Sequence, residues 1–165
     1  MYFCRPEHPK DVAAIRAVLE AAFPTAAEAR LVDALRSNGR LSLSVVASDG
    51  AGVIGHVAFS PVEAGAGRGL GLAPMAVLPA HQQKGVGALL VREGLASCVA
   101  SGCGFVVVLG EPEYYGRFGF ERASARGLDN EYGADEAFMV LELEPGALPE
   151  GGGLVRYAPE FALVG

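Results

Sequence analysis

Gln82-Gln83-Lys84-Gly85-Val86-Gly87-Ala88 joins an apolar, strand-like run on its N-terminal side to a long helical pattern on its C-terminal side. Gly85 and Gly87 let the backbone turn sharply and come close to a ligand. The first turn of the helix that follows leaves its N–H groups unpaired. With the positive end of the helix dipole, those groups suit phosphate oxygens. Taken alone, the stretch is equally readable as a tight turn. A Walker loop is excluded, because no Gly-Lys-Ser/Thr follows at the required spacing. A Rossmann fingerprint needs a third glycine where Leu90 stands, and it follows the first strand of a parallel sheet.

Upstream, residues 2–5 read as a short strand. A helix follows over residues 9–23, with Val12, Ile15, Leu19 and Ala22 on one face and Pro24 as its stop. Thr25-Ala26-Ala27-Glu28 has the spacing of a capping box and opens a second helix that ends at Asn38-Gly39. Alternation at Leu41, Leu43, Val45 and Ala47 predicts a strand, Asp49-Gly50 a hairpin, and residues 53–60 its partner. A glycine-rich turn over residues 64–69 leads to a third antiparallel strand over residues 70–77.

Downstream, the helix runs to about Ser101, with Val91, Leu95, Cys98 and Val99 as its buried stripe and Gly102 as its cap. Residues 105–109 are continuously apolar, as in a central strand buried on both faces. Strand, helix, strand in this order makes a right-handed crossover with parallel strands. Residues 112–118 read as a short helix or turn and residues 123–135 as irregular. Strands follow at residues 138–143 and 154–157, joined by a Gly/Pro-rich connection. The total is a mixed α/β fold: one sheet of about seven strands with helices on both faces, in a single domain over residues 1–165.

The chain has 165 residues, 51% hydrophobic and 19% charged, which excludes a disordered chain and suffices for a sizeable core. Its net charge of −6, with no basic block, argues against a nucleic-acid partner. An anionic ligand must then be held by local backbone geometry. Cys4, Cys98 and Cys103 match no zinc or redox spacing and read as buried free thiols, so no metal is expected. Arg5, Glu7, His8 and Lys10 interrupt the N-terminus before an apolar stretch forms, and charges break residues 85–110. Neither a signal peptide nor a membrane span is expected, and the default compartment is the cytoplasm.

Gln82-x-x-Gly85-x-Gly87 resembles the acetyl-CoA signature of the GNAT N-acetyltransferase superfamily, Arg/Gln-x-x-Gly-x-Gly/Ala. Leu72-Ala73-Pro74-Met75-Ala76-Val77-Leu78-Pro79 resembles that family's fourth strand, and Tyr115-Gly116-Arg117-Phe118-Gly119-Phe120 its Tyr-x-x-x-Gly-Phe element. Residues 55–61, 109–115 and 138–148 are similar to the YhbS-like branch of predicted acetyltransferases, so the resemblance covers nearly the whole chain.

The resemblance implies a GNAT fold with splayed fourth and fifth strands. It implies an N-acetyltransferase that moves an acetyl group from acetyl-coenzyme A, its co-substrate, to a primary amine by direct attack in a ternary complex. The amides of Gln83, Lys84, Gly85, Val86, Gly87 and Ala88 would hold the pyrophosphate, with Gln82 opening the motif. The pantetheine arm would pair with backbone at Met75, Ala76 and Val77, and the Val77 N–H would donate to the thioester oxygen. Tyr115 matches the family's general acid; as a residue alone it is also an aromatic anchor for its short helix.

For the general base, Glu111, just past the buried central strand, is one candidate, with a solvated capping carboxylate as the alternative. His56, mid-strand on the side of Ile54, Ala58 and Ser60, is the other, with a satisfied structural histidine as the alternative. The acceptor is a small-molecule or peptide amine, and a homodimer is an open expectation. A coenzyme A-binding sensor or partner module without catalysis is the rival reading.

Overall fold

The computed structural model describes residues 1–164. Packing divides the chain into two compact units, one made of Met1–Phe59, Ala73–Ser97 and the C-terminal segment from Pro159, the other of Ser60–Leu72 and Cys98–Ala158.

In the first unit, β1 (Phe3–Pro6) pairs antiparallel with β2 (Leu43–Ser48), and β2 with the first part of β3 (Val53–Ala64). The later part of β4 (Gly67–Val77) also belongs here. Helices α1 (Val12–Ala22) and α2 (Ala27–Ser37) bury Ile15, Val18, Leu19, Ala29 and Val32 against Val46, Ala58 and Ala76. Alternation along β3 sends Gly55, Val57 and Phe59 to the opposite face. That face carries α3 (Val86–Ala100), whose Val86 and Leu90 lie 3.2 and 3.1 Å from where a Cβ on Gly55 would stand. Gly94 meets the Phe59 ring: an added Cβ would fall 2.5 Å from its edge. Helices thus cover both faces of this part of the sheet.

The second unit holds the end of β3, the start of β4, β5 (Phe105–Leu109), α4 (Pro112–Gly116), β6 (Glu121–Arg122), β7 (Leu128–Asn130), β8 (Phe138–Glu142) and β9 (Gly153–Arg156). As the crossover rule predicts, β4 and β5 are parallel, in register at Leu70↔Val106 and Gly71↔Val107, and β4 runs on to Val77. The other edge of β5 pairs antiparallel with β8, itself paired with β6. Strand β5 is thus an inner strand, and its residues 105–108 are buried, whereas Leu109, the last of the apolar run, is 40% exposed. Phe105, Val107, Leu128, Phe138, Val140 and Val155 form the core of this unit.

Nine strands are present among the described residues, in the path β1-β2-β3-β4-β5-β8-β6 with β7 and β9 off it. The excess over about seven lies in β6 and β7, two and three residues long, too short to show a period; β7 falls in the stretch read as irregular. The β3–β4 turn is also tighter than a glycine-rich loop. Strand β4 begins at Gly67, and Gly69 is inside it because an added Cβ would fall 2.5 Å from the Phe105 ring. The capping box does not form. Thr25 Oγ1 accepts from Ala27 N at 3.2 Å and Ala26 takes the N-cap position, so the hydroxyl closes a local turn. Val99 leaves the expected stripe and is 60% exposed, and Leu95 is half-buried; Val86, Leu90, Val91, Gly94 and Cys98 are the buried positions.

Candidate active site

The strand β4 ends at Val77, and Leu78 N donates to Ile54 O (2.9 Å). A single 3-10 turn, Pro79–His81, brings the chain to Gln82. The Gln82 side chain folds back and donates through Nε2 to Val77 O at 3.0 Å. Gln83 and Gly85 then take left-handed backbone, with φ of 61° and 85°. A side chain at position 85 would be strained there, although nothing lies within 4 Å of an added Cβ.

Among the described residues, no backbone amide from Gln83 to Ala88 donates a hydrogen bond; the first to do so is Leu89 N, to Gly85 O at 3.1 Å. Buried Val86 anchors the helix start, while Gln82, Gln83 and Lys84 are exposed. Six unpaired N–H groups thus stand at the positive end of a 15-residue helix, a concentration of donors suited to an anion. Of the adjacent β4 residues, Ala76 is buried toward α1 and α2, whereas Met75 and Val77 are half-buried.

In the second unit β5 leads into Gly110 and Glu111. Glu111 takes the N-cap position of α4 through its backbone: its carbonyl accepts from Tyr115 N at 3.0 Å, and its side chain is exposed and makes no capping bond. Pro112 fixes the first turn. Tyr115 is 8% exposed, held edge-to-face by Tyr114 (5.0 Å between ring centroids) and Phe120 (5.7 Å). Its hydroxyl makes no hydrogen bond among the described residues, nor is it one of the fully buried unpaired atoms. Burial, with the neighbouring Tyr114, pushes its pKa up to about 12, so the phenol is protonated at neutral pH and keeps a proton to give. Tyr114 differs: the Arg117 guanidinium lies 4.7 Å from the centre of its ring.

His56 sits in a chain of polar contacts within the first unit. Arg36 pairs with Glu7 at 2.7 Å, Ser44 Oγ donates to Glu7 Oε1 at 2.7 Å, and Ser44 Oγ lies 2.8 Å from His56 Nε2. A hydroxyl that gives its only proton to Glu7 must accept from Nε2–H, which fixes the neutral tautomer and leaves Nδ1 bare. That nitrogen is buried and without a partner. Desolvation therefore dominates and holds the His56 pKa down at about 4; Glu7 opposes the shift and Arg36 adds to it.

The sequence pointed to His56 alone. The hairpin register, Val46↔His56 and Ser44↔Ala58, makes Ser44 legible afterwards, but nothing local marks Glu7 or Arg36. A base whose folded pKa lies below its unfolded value of about 6.5 binds its proton first in the unfolded chain. Stability then falls as pH drops from 6.5 toward 4, and is flat below for this group. Between pH 7 and 5 the expected loss is about 2 kcal/mol. Urea midpoints at the two pH values check it: the loss should vanish in His56→Gln.

All three cysteines are free thiols: Cys98 is buried, Cys4 and Cys103 half-buried. Among the described residues no cluster of three His, Cys, Asp or Glu side chains could hold a metal, and no helix is long and apolar enough to cross a membrane.

The model of the acetyltransferase (GNAT) domain family matches residues 40–122. The chain is 44% identical over 162 residues to the uncharacterized N-acetyltransferase YhbS of Escherichia coli K12, covering 95% of this chain and 96% of that protein. The crystal structure of Escherichia coli YhbS in complex with CoA superposes with a TM-score of 0.91 at 41% identity, over 98% of this chain and 92% of that one. A GNAT family acetyltransferase from Brucella melitensis, in complex with acetyl-CoA, gives 0.81 at 39% identity, over 98% of both chains. A signature loop of unpaired amides, a parallel β4–β5 pair after an antiparallel run, and similarity along the whole length agree: the chain belongs to the GNAT family of acetyltransferases.

Proposed function

We propose that this protein moves an acetyl group from acetyl-CoA to a primary amine, on a small molecule or a peptide, by direct attack in a ternary complex. The observation that carries the reading is the row of unpaired amides from Gln83 to Ala88 at the start of α3. Their donors fit the pyrophosphate of coenzyme A, and the similar proteins from Escherichia coli and Brucella melitensis were crystallised with CoA and acetyl-CoA.

Acetyl-CoA supplies the activated thioester; the remaining work falls to this chain. Gln82 braces the loop through Val77 O, and Lys84 adds a positive charge beside the amides. Backbone groups of Met75, Ala76 and Val77 hold the pantetheine arm as an added strand edge, with the Val77 N–H aimed at the carbonyl oxygen where charge develops. Tyr115 returns a proton to the departing thiolate. The amine reaches the site as an ammonium with a reference pKa of about 10.4 and must lose a proton first. Glu111 is the better base on access: it is exposed, whereas His56 is 0% exposed and must be reached through packed protein. His56 then serves the fold.

Two measurements test this. Calorimetric titration should give coenzyme A an affinity at least about 100-fold above that of pantetheine, which lacks the diphosphate, since several amide–phosphate bonds at roughly 1.5 kcal/mol each are lost. Equal affinities would refute the cradle. Thiol release across a panel of amines should require both acetyl-CoA and an amine. Tight coenzyme A binding without thiol release from any amine would favour a non-catalytic module.

A further inference from the structure

The C-terminal end of α3 closes in a Schellman motif. Gly102, at φ 81°, donates to Val99 O at 3.1 Å, and Cys103 N donates to Cys98 O at 3.0 Å. The second bond is the six-to-one contact of that motif, which brings the side chains at its two ends together. Here both ends are cysteines, Cys98 and Cys103. A 3.0 Å N···O bond keeps their Cα atoms within about 7 Å, the outer edge of the range a disulfide spans.

We propose that Cys98 and Cys103 are a redox site that closes into a reversible intramolecular disulfide. The two thiols divide the work. Cys103 is half-buried, so an oxidant can reach it, and Cys98, 0% exposed, lies behind it as the resolving thiol. The neighbouring Cys98 thiol lowers the Cys103 pKa, against burial; the backbone at Phe105 and Leu70 adds to the lowering and Glu144 opposes it. Cys103 in turn raises Cys98. When Cys103 is a thiol, its own proton points to Phe105 O at 3.1 Å. Cys4 provides an internal reference: burial and Glu93 push it up to about 11, so it stays protonated.

With hydrogen peroxide as oxidant, the Cys103 thiolate attacks one oxygen. An S–O bond forms, the O–O bond breaks, and the hydroxide released takes a proton to become water. The Cys98 sulfur then attacks the Cys103 sulfur. The S–S bond forms, the S–O bond breaks, and the hydroxyl leaves with the Cys98 proton as a second water. Two thiols and one peroxide give one disulfide and two waters; the sulfurs lose the two electrons that the peroxide gains.

The test is peptide mapping of the whole protein after graded peroxide and alkylation. No Lys or Arg lies between Arg92 and Arg117, so trypsin leaves both cysteines in one peptide, residues 93–117. That peptide should lose the mass of two hydrogens and refuse the alkylating agent, both reversed by dithiothreitol, while Cys4 is alkylated throughout. In Cys98→Ala the sulfenic acid on Cys103 should persist and take up dimedone at least about tenfold more than in the wild type. The inference fails if Cys103 in the wild type oxidises to the sulfinic acid with Cys98 still alkylated, or reacts no faster than Cys4. The wild-type map does not depend on how the variant folds.

Discussion

Tyr115→Phe is expected to lower kcat for amine-dependent thiol release by about 10²–10⁴-fold, the range a positioned general acid contributes. The Michaelis constant for acetyl-CoA should stay within about twofold, since an interaction made only as the thiolate departs adds nothing to ground-state binding. The substitution isolates the chemistry cleanly. The ring keeps its edge-to-face contacts with Tyr114 and Phe120, and the hydroxyl removed has no hydrogen bond among the described residues to lose. Melting temperature should therefore be unchanged. With the phenol at about 12, its own ionisation should not limit the rate anywhere in the stable pH range. Tyr114→Phe is the control and should change kcat by less than about tenfold. A Tyr115→Phe protein as fast as the wild type would remove Tyr115 from the mechanism while leaving the amide cradle untouched.

Gly94→Val, at a buried position of α3, should cause a large loss of stability. Its Cβ would stand 2.5 Å from Cε1 and 2.6 Å from Cζ of Phe59, a ring that is 0% exposed and has nowhere to swing. Overpacking of this kind costs about 1–3 kcal/mol, and the branched side chain places the value at the upper end. Helix propensity works the other way, since any residue but proline is favoured over glycine, but by less than about 1 kcal/mol. Sterics win, and for a chain of this size the melting temperature should drop by roughly 6–12 °C. Phe59→Leu combined with Gly94→Ala should recover part of the loss relative to Gly94→Ala alone, because the ring edge is what the new methyl strikes. Additivity of the two changes would mean the strain lies elsewhere.

The elements that a local period could reveal were legible. The apolar run at residues 105–109 announced a buried central strand, which holds for residues 105–108 but not for exposed Leu109, and β4, α3 and β5 in succession announced the parallel pair. The signature loop was legible because glycine and helix-start chemistry are local. What escaped depends on partners distant in sequence. The strands β6 and β7 exist only because β8 and β9 offer edges to them. Gly69 marked a turn by composition but answers to Phe105, whose ring fills the space over the strand. Val99 fits the apolar period of α3 yet faces out, because the helix turns its Leu90–Val91–Cys98 side inward. At the candidate site, the residue types and the loop were readable, whereas the Glu7–Ser44–His56 chain required β2 and α2 to converge on β3.

The loop at the start of α3 presents main-chain atoms and turns its one braced side chain, Gln82, away. Every amino acid except proline offers the same N–H, so on the proposed function the contacts asked of positions 83 and 88 fall to the main chain, with Lys84 adding charge. Sequence drift at positions 83 and 88 leaves the donor array standing as long as the left-handed backbone at Gln83 and Gly85 is kept. On the proposed function, divergence toward new acceptors can then proceed elsewhere in the chain without disturbing this loop.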